Sequence, residues 1–443
     1  MSVSDFGEYD AKQVKLITLK NLNGMRAELI SYGATLKSLI VNDKRGIGRD
    51  VVLGFNDLNG YINDDSFFGS TVGRVCNRIG YASFELDGKK YFLPANNGKH
   101  HLHGGGCLSK RVWETHEIRK SATVQSVKFM TVSRDDEFGY PGDVRFEVSF
   151  RLNNRNQLNV LLEAFSLSDA NTIVNLTVHP YFNLDPDESE NVLEHELSIN
   201  ADKYLPVDET ALVTGEISEL KGDLKKLREG VRLKELSATA AINIDNDFTL
   251  NRTSPDEAAL RVSLWERFRG MFAGEISELK GDLKKLREGV RLKELSATAA
   301  INIDNDFTLN REISELKGDL KKLREGVRLK ELSATAAINI DNDFTLNRTS
   351  PDEAALRLWS KQSGIELAVS TSNPVIHLYL AQHFDGVRGK CTTPYNKYAG
   401  IAIEAQKYTN AINVPNFPSI ILNGHSKYSE WISFTLSSTS NGK

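Results

Sequence analysis

The stretch EISELKGDLKKLREGVRLKELSATAAINIDNDFTLNR occurs three times in this chain without a single change, at Glu216–Arg252, Glu275–Arg311 and Glu312–Arg348. Self-similarity of this kind normally announces a stacked array, in which each unit buries its apolar face against the next and the terminal units differ to cap the stack. Here the second and third copies abut, 22 residues separate the first from the second, and identical copies leave no caps. The sequence on either side lacks the period, so a solenoid is excluded. A tandem duplication fits better, because the first and third copies are also followed by the same TSPDEAALR, at Thr253–Arg261 and Thr349–Arg357. The offset between them is 96 residues, and removing one such period leaves 347. Ile217, Leu220, Leu224, Leu227 and Val231 of the first copy fall at three-to-four spacing, which predicts an amphipathic surface helix weakened by Gly222 and Gly230. A partner helix on that stripe is the rival reading.

Outside the copies the chain reads as strands. Val14–Leu19, Met25–Ile30, Thr35–Val41, Ser126–Val132, Val144–Phe150 and Gln157–Phe165 are β-branched or alternating runs between turn clusters. Phe84–Leu93 predicts a hairpin turning at Asp87–Gly88. No sustained alternation of strands with long helices appears, which argues against a parallel sheet. The expectation is an all-β chain, a large antiparallel β-sandwich, with a surplus repeated insertion of helix and loop character. Residues 1–443 form a single domain in this reading, interrupted by surplus copies within about 216–348.

A formal net charge of −4 supplies no electrostatic reason to expect nucleic acid or an anionic membrane surface. No basic-then-apolar leader opens the sequence and no apolar run reaches bilayer length, so the expected location is cytoplasmic. Cys76, Cys107 and Cys391 are too few and too scattered for a disulfide framework or a zinc site.

Four clusters could carry chemistry: GRVCNRIG at Gly73–Gly80, NNGKHHLHGGG at Asn96–Gly106 with KRVW at Lys110–Trp113, VNLTVHPYFNL at Val174–Leu184, and IAIEAQKYTNAINVPNFPSIIL at Ile401–Leu422. Each residue alone has a bland reading. His103 can be a turn histidine beside three glycines, and His179 a satisfied core histidine before Pro180. Arg74 and Asn77, viewed singly, belong to the surface or a turn. Glu404 says more, because IAIEAQ puts a carboxylate and Gln406 on one face of an apolar strand, where a charge must be paired or functional. Arg78 is the obvious bridging partner. The glycines at 104–106 are not a phosphate loop, since neither Lys-Ser/Thr nor a helix pattern follows.

Taken together the clusters resemble the aldose 1-epimerase (galactose mutarotase) family. The matching segments are Asn77-Arg78-Ile79, Leu102–Gly105 with Lys110–Trp113, Asn175–Leu184, and Glu404–Gln406 with Ala411–Pro418; Tyr140–Val144 and Ala201–Thr210 also fit. The resemblance implies a galactose mutarotase-like supersandwich with a sugar groove on one sheet. It implies that Glu404 removes the anomeric hydroxyl proton, that His179 protonates the ring oxygen, and that Asn77, Arg78, His103, Tyr181 and one aspartate of a D-x-x-F segment hold the sugar hydroxyls. The chemistry matches: opening a hemiacetal needs a proton off O1 and a proton onto O5, one base and one acid on opposite sides of the ring suffice, and no metal or cofactor is required. The implied partner is a small-molecule aldose, with the chain a monomer or weak dimer. Val178, His100, Cys107-Leu108-Ser109 and Asn373 depart from the family pattern, which bears on sugar preference.

The DNDF segment begins at Asp245, Asp304 and Asp341, and one copy alone can take the sheet position. Asp341 is preferred, because its copy runs straight into the hairpin AALRLWSKQSGIELAVSTS and leaves local strand pairing intact. Asp245, whose copy has the native lead-in, is the rival. Asp304 has neither. Alternatives to the epimerase are a non-catalytic sugar-binding sandwich, a phosphosugar epimerase, a glycosidase using Glu404 with an aspartate, and a helical interaction module built from the copies.

Overall fold

Period-two burial builds the framework. In Val144–Asn153 and Gln157–Ser166, Val144, Phe146, Val148, Phe150 and Leu158, Val160, Leu162, Ala164 alternate inward and are fully buried. These two strands sit in a nine-stranded sheet that runs from Glu114–Lys120 through Val124–Ser133, Val144–Asn153, Gln157–Ser166, Lys427–Ser438, Ile365–Thr371, Leu356–Trp359 and Glu196–Ile199 to Val231–Arg232. A five-stranded sheet at the start of the chain runs in sequence order from Ser2–Tyr9 to Gly48–Asp50. A six-stranded sheet has the order Tyr181–Phe182, Ile401–Gln406, Val375–Tyr379, Asp341–Leu346, Ala201–Leu205, Ser218–Glu219. All pairs within these sheets are antiparallel, as the alternating runs predict. One core fills the space between them, and Phe182 of the six-stranded sheet packs 5.3 Å from Phe434 of the nine-stranded one. The computed structural model describes residues 1–186, 190–220, 225–239, 341–346, 353–390 and 393–438. Asp245, Asp304 and Cys391 lie outside them; Cys76 and Cys107 are free and buried.

The six strands expected from the alternation are present, each within three residues of its expected ends. The hairpin turns where expected, with Asp87 and Gly88 at φ of 53° and 73°.

The amphipathic stripe of the first copy does not form one helix. Ser218–Glu219 and Val231–Arg232 are strands, and the helices are Lys226–Glu229 and Leu233–Thr239. The physical reason is tertiary. Ser218–Glu219 pairs with Ala201–Leu205, Val231–Arg232 pairs with Glu196–Ile199, and Leu220, Leu227 and Val231 point into the main core. Gly230 takes a φ of 96° at the break. Sheet edges that need partners outbid a weak helical period. The strand Asp341–Leu346 comes from the third copy and lies between Val375–Tyr379 and Ala201–Leu205. The first half of one copy and the second half of another therefore complete the sheets.

His195 pins the chain that leaves the six-stranded sheet. Its Nε2 accepts the Leu184 N–H at 2.9 Å, and burial pushes the imidazole down to about 4. Because this folded value lies below the ordinary one near 6.5, His195 contributes stability that is fully present above pH 6.5 and lost as pH falls toward 4. Denaturant titrations should show a loss on the order of 3 kcal/mol across that window. His195→Gln, which keeps an acceptor for Leu184 but cannot titrate, should flatten it.

Candidate active site

Three adjacent strands of the six-stranded sheet set up the site by register alone. Asp343 lies opposite His377, and His377 lies opposite Glu404. His179 lies two residues before the neighbouring strand Tyr181–Phe182, whose Tyr181–Ala402 register, continued by two residues, leads to Glu404. Directly opposed residues share a face, so four ionisable side chains form one row. The measured contacts follow: Asp343 Oδ1 to His377 Nδ1 is 2.7 Å, His377 Nε2 to Glu404 Oε1 is 3.9 Å, and Glu404 Oε1 to His179 Nε2 is 3.3 Å. All four residues are buried. Gln406 Nε2 and the Thr409 N–H also reach the Asp343 carboxylate, at 3.1 and 3.2 Å.

Loops roof the row. Arg78–Ile79 pairs with His101–Leu102, which brings Asn77 and His103 side by side. Both hold positive φ, 56° and 51°, and they brace each other: the His103 N–H donates to Asn77 O, and the Asn77 N–H donates to His103 Nδ1. Gly104 is required here, because a Cβ on it would meet the Gly73 carbonyl oxygen at 1.8 Å. The Asn77 amide lies 3.2 Å from His377 Nδ1 while its Oδ1 accepts the Arg78 N–H. Arg78 Nε donates to Asn97. The partners that the sheet brings to Glu404 are thus imidazoles, while Arg78, the bridging partner expected from sequence, is engaged with Asn97 and Asn77.

The structure brings His179, Glu404, Asn77, Arg78 and His103 together. Tyr181 packs behind His179, with ring centroids 5.0 Å apart, in an aromatic cluster that includes Phe68 and Phe384. Asp341 sits in the strand, paired with Tyr379. Two members of the row, Asp343 and His377, were missed in the sequence. Asp343 shares the face of Asp341 by period two, and His377 interrupts the apolar strand VIHLY. Arg74 corrects an expectation. It is fully buried rather than a surface residue, and it donates to the carbonyls of Pro141, Gly142 and Arg134. Asn77 is likewise buried. Asn373 is fully buried and braces Thr371 and the Ala405 carbonyl.

Burial and the nearby His179 hold the His103 imidazole well below its ordinary range, so it is neutral at neutral pH. With Nδ1 accepting from Asn77, its proton stays on Nε2, which makes it a hydrogen-bond donor. This matters for metals. His103, His179 and Glu404 each bring one ligand-type atom within 4.8 Å of the others. A neutral histidine that binds metal through Nε2 must carry its proton on Nδ1. The Asn77 N–H opposes that tautomer, so His103 is held as a hydrogen-bond donor through Nε2 rather than as a metal ligand.

The sequence model described as aldose 1-epimerase matches residues 15–273 and 289–435. The galactose mutarotase of Sus scrofa is 29% identical over 416 residues, covering 93% of this chain and 92% of its own length. The aldose 1-epimerase of Haemophilus influenzae is 41% identical over 206 residues, 46% of this chain and 58% of its own. Among solved structures, a GalM/aldose epimerase homologue from C. elegans superposes with a TM-score of 0.69 at 29% identity, covering 96% of this chain and 99% of that one. Galactose 1-epimerase from Lactobacillus acidophilus shares the fold, with a TM-score of 0.66 at 24% identity and coverage of 99% and 98%. The chain belongs to the aldose 1-epimerase family.

Proposed function

We propose that this protein interconverts the α and β anomers of a free hexose of the galactose or glucose type, with Glu404 as general base and His179 as general acid. The observation that carries the reading is the 3.3 Å contact between Glu404 Oε1 and His179 Nε2 in a buried row. That spacing is too short for groups on opposite sides of a pyranose ring, as the sequence reading had it. It suits a different placement. O1 and O5 are bonded to the same carbon, so an acid and a base side by side at one edge of the ring address both. Ionised Glu404 takes the proton of O1, the C1–O5 bond breaks as C1=O1 forms, and protonated His179 delivers its proton to O5. Rotation about C1–C2 turns the other face of the aldehyde to O5, and reclosure returns both protons. Neutral His103, as an Nε2–H donor, together with Asn77, Arg78, Tyr181 and Asp341, holds the sugar in this reading. No step requires a cofactor.

A phosphosugar substrate is disfavoured by the fate of the arginines. Arg74 is spent on backbone carbonyls, Arg111 pairs with Glu137, and Arg78 is engaged with Asn97 and Asn77. A glycosidase is disfavoured because His377 stands between Asp343 and Glu404 in the row, where a carboxylate pair would need the sugar. Among the described residues no helix is long and apolar enough to cross a membrane. The cytoplasmic, monomeric or weakly dimeric protein expected from sequence remains part of the proposal.

Polarimetry of freshly dissolved α-D-galactose and α-D-glucose tests the reading. The wild type should accelerate mutarotation, and Glu404→Gln and His179→Asn should each lower kcat by ~10²–10⁴-fold. No acceleration by the wild type sinks the epimerase, and full activity in Glu404→Gln sinks the base. Glycosides should be left intact.

The proposal also treats residues 1–443 as one epimerase domain interrupted by surplus copies within about 216–348. Removing residues 240–335, one 96-residue period, joins Thr239 to Ala336 and keeps all the described residues. The shortened protein should fold and match the full chain in kcat/KM within about threefold, because the cost of closing a loop varies only slowly with its length. Loss of activity on this deletion would assign the surplus a functional part.

A further inference from the structure

The proposed acid and base leave two buried members of the row without a task. His377 lies opposite Glu404 on the adjoining strand and Asp343 lies opposite His377 on the next, and neither is among the residues that the family resemblance marked. The Asp343–His377 contact is the shortest in the row, at 2.7 Å. A carboxylate cannot face a bare ring nitrogen at that distance, so Nδ1 carries a proton and donates it in a charge-assisted bond. That bond turns Nε2 toward Glu404, 3.9 Å away. The separation exceeds a hydrogen bond but is well within the range of a charge interaction in a buried setting. Asp343 is itself held in place by Gln406 Nε2 and the Thr409 N–H, which donate to its two carboxylate oxygens.

His377 stands between two carboxylates, at 2.7 Å from Asp343 and 3.9 Å from Glu404. His103, across from it, is neutral. Cys76, beneath Glu404 and Asp343, is fully buried and stays a thiol, donating to Gln406 Oε1. Asn77 contributes an amide. His179, on the other side of Glu404, lies 3.3 Å from the same carboxylate. With carboxylates on both neighbouring strands, the His377 imidazole stands where its protonated form is favoured.

We propose that His377, anchored by Asp343, is a positioning residue for Glu404: its imidazolium holds the carboxylate in the row and keeps it ionised, and so available as base, at lower pH. The inference rests on Glu404 being that base. It differs from a sugar-contact role because it acts through Glu404 and therefore marks the pH profile.

The test is kcat/KM for mutarotation against pH in His377→Gln and His377→Asn, beside wild type and Glu404→Gln. Both His377 variants remove the charge; Asn does so without filling the volume of the ring, so the pair guards against misfolding of either. The acid limb should move up by about one pH unit or more in each folded variant, with the high-pH plateau kept within about tenfold. A limb that stays at the wild-type pH overturns the inference, whatever happens to the plateau. Near-normal activity of Glu404→Gln overturns the base assignment instead, and the two failures are read from separate variants.

Discussion

Strand register is the constraint on which the active site depends. Glu404, His377 and Asp343 come from three strands and meet because each stands opposite the next across the sheet, and His179 joins them from the segment that leads into Tyr181–Phe182. Side-chain direction alternates with every residue, so a slip of one position in any strand would turn its member of the row into the opposite layer. The register is held by what lies on that opposite face. Ile376, Leu378, Ile403, Ala405 and Phe344 alternate with the row and are buried in the main core. A slip would expose them and bury the charges without partners. The same hydrophobic pattern that folds the sheet therefore aligns the ionisable groups of the row.

This makes the repeated segment a problem of register as much as of length. Three identical DNDFTL segments exist in the sequence, and one occupies the place between Val375–Tyr379 and Ala201–Leu205. Identity removes any difference in side-chain packing between the copies, so connection decides. The third copy is followed closely by Leu356–Trp359 and Ile365–Thr371, which pair with each other and with Lys427–Ser438. Its ends are thus already near their neighbours, and consecutive elements tend to be neighbours in space. The lead-in half is decided the same way. Ser218–Glu219 follows Ala201–Leu205 closely enough to pair with it, so the first copy provides that half.

Most of the framework was legible in the sequence because strands buried on one face carry a period-two signature. Val144–Asn153 and Gln157–Ser166 are plain examples. The stripe from Ile217 to Val231 was misread because its three-to-four spacing is a local signal, whereas the partners that turn parts of it into strands, Glu196–Ile199 and Ala201–Leu205, lie elsewhere in the chain. The site was legible in part. His179 and Glu404 could be picked out only through the joint pattern of four clusters, since a single buried histidine or glutamate has structural readings enough. His377 escaped because nothing local distinguishes VIHLY from a strand with one core histidine; its meaning comes from Asp343 and Glu404 on either side. Arg74 escaped for the converse reason. Its partners are backbone carbonyls of Arg134, Pro141 and Gly142, which a sequence does not display.

The order of the row explains how so many ionisable groups can be buried together. Isolated carboxylates in a low-dielectric layer would take up protons, and isolated imidazoles would lose them. Here carboxylate and imidazole alternate across the sheet, so each charge has an opposite neighbour one strand away. The exception is instructive. His103 comes from the roof instead of the sheet and faces His179, and there burial and a neighbouring imidazole drive it neutral. Two kinds of histidine follow from position alone. Those within the row sit beside carboxylates that favour the protonated form, which is what a general acid needs. The one above it keeps its proton on Nε2 as a fixed donor, suited to holding a hydroxyl while protons move below.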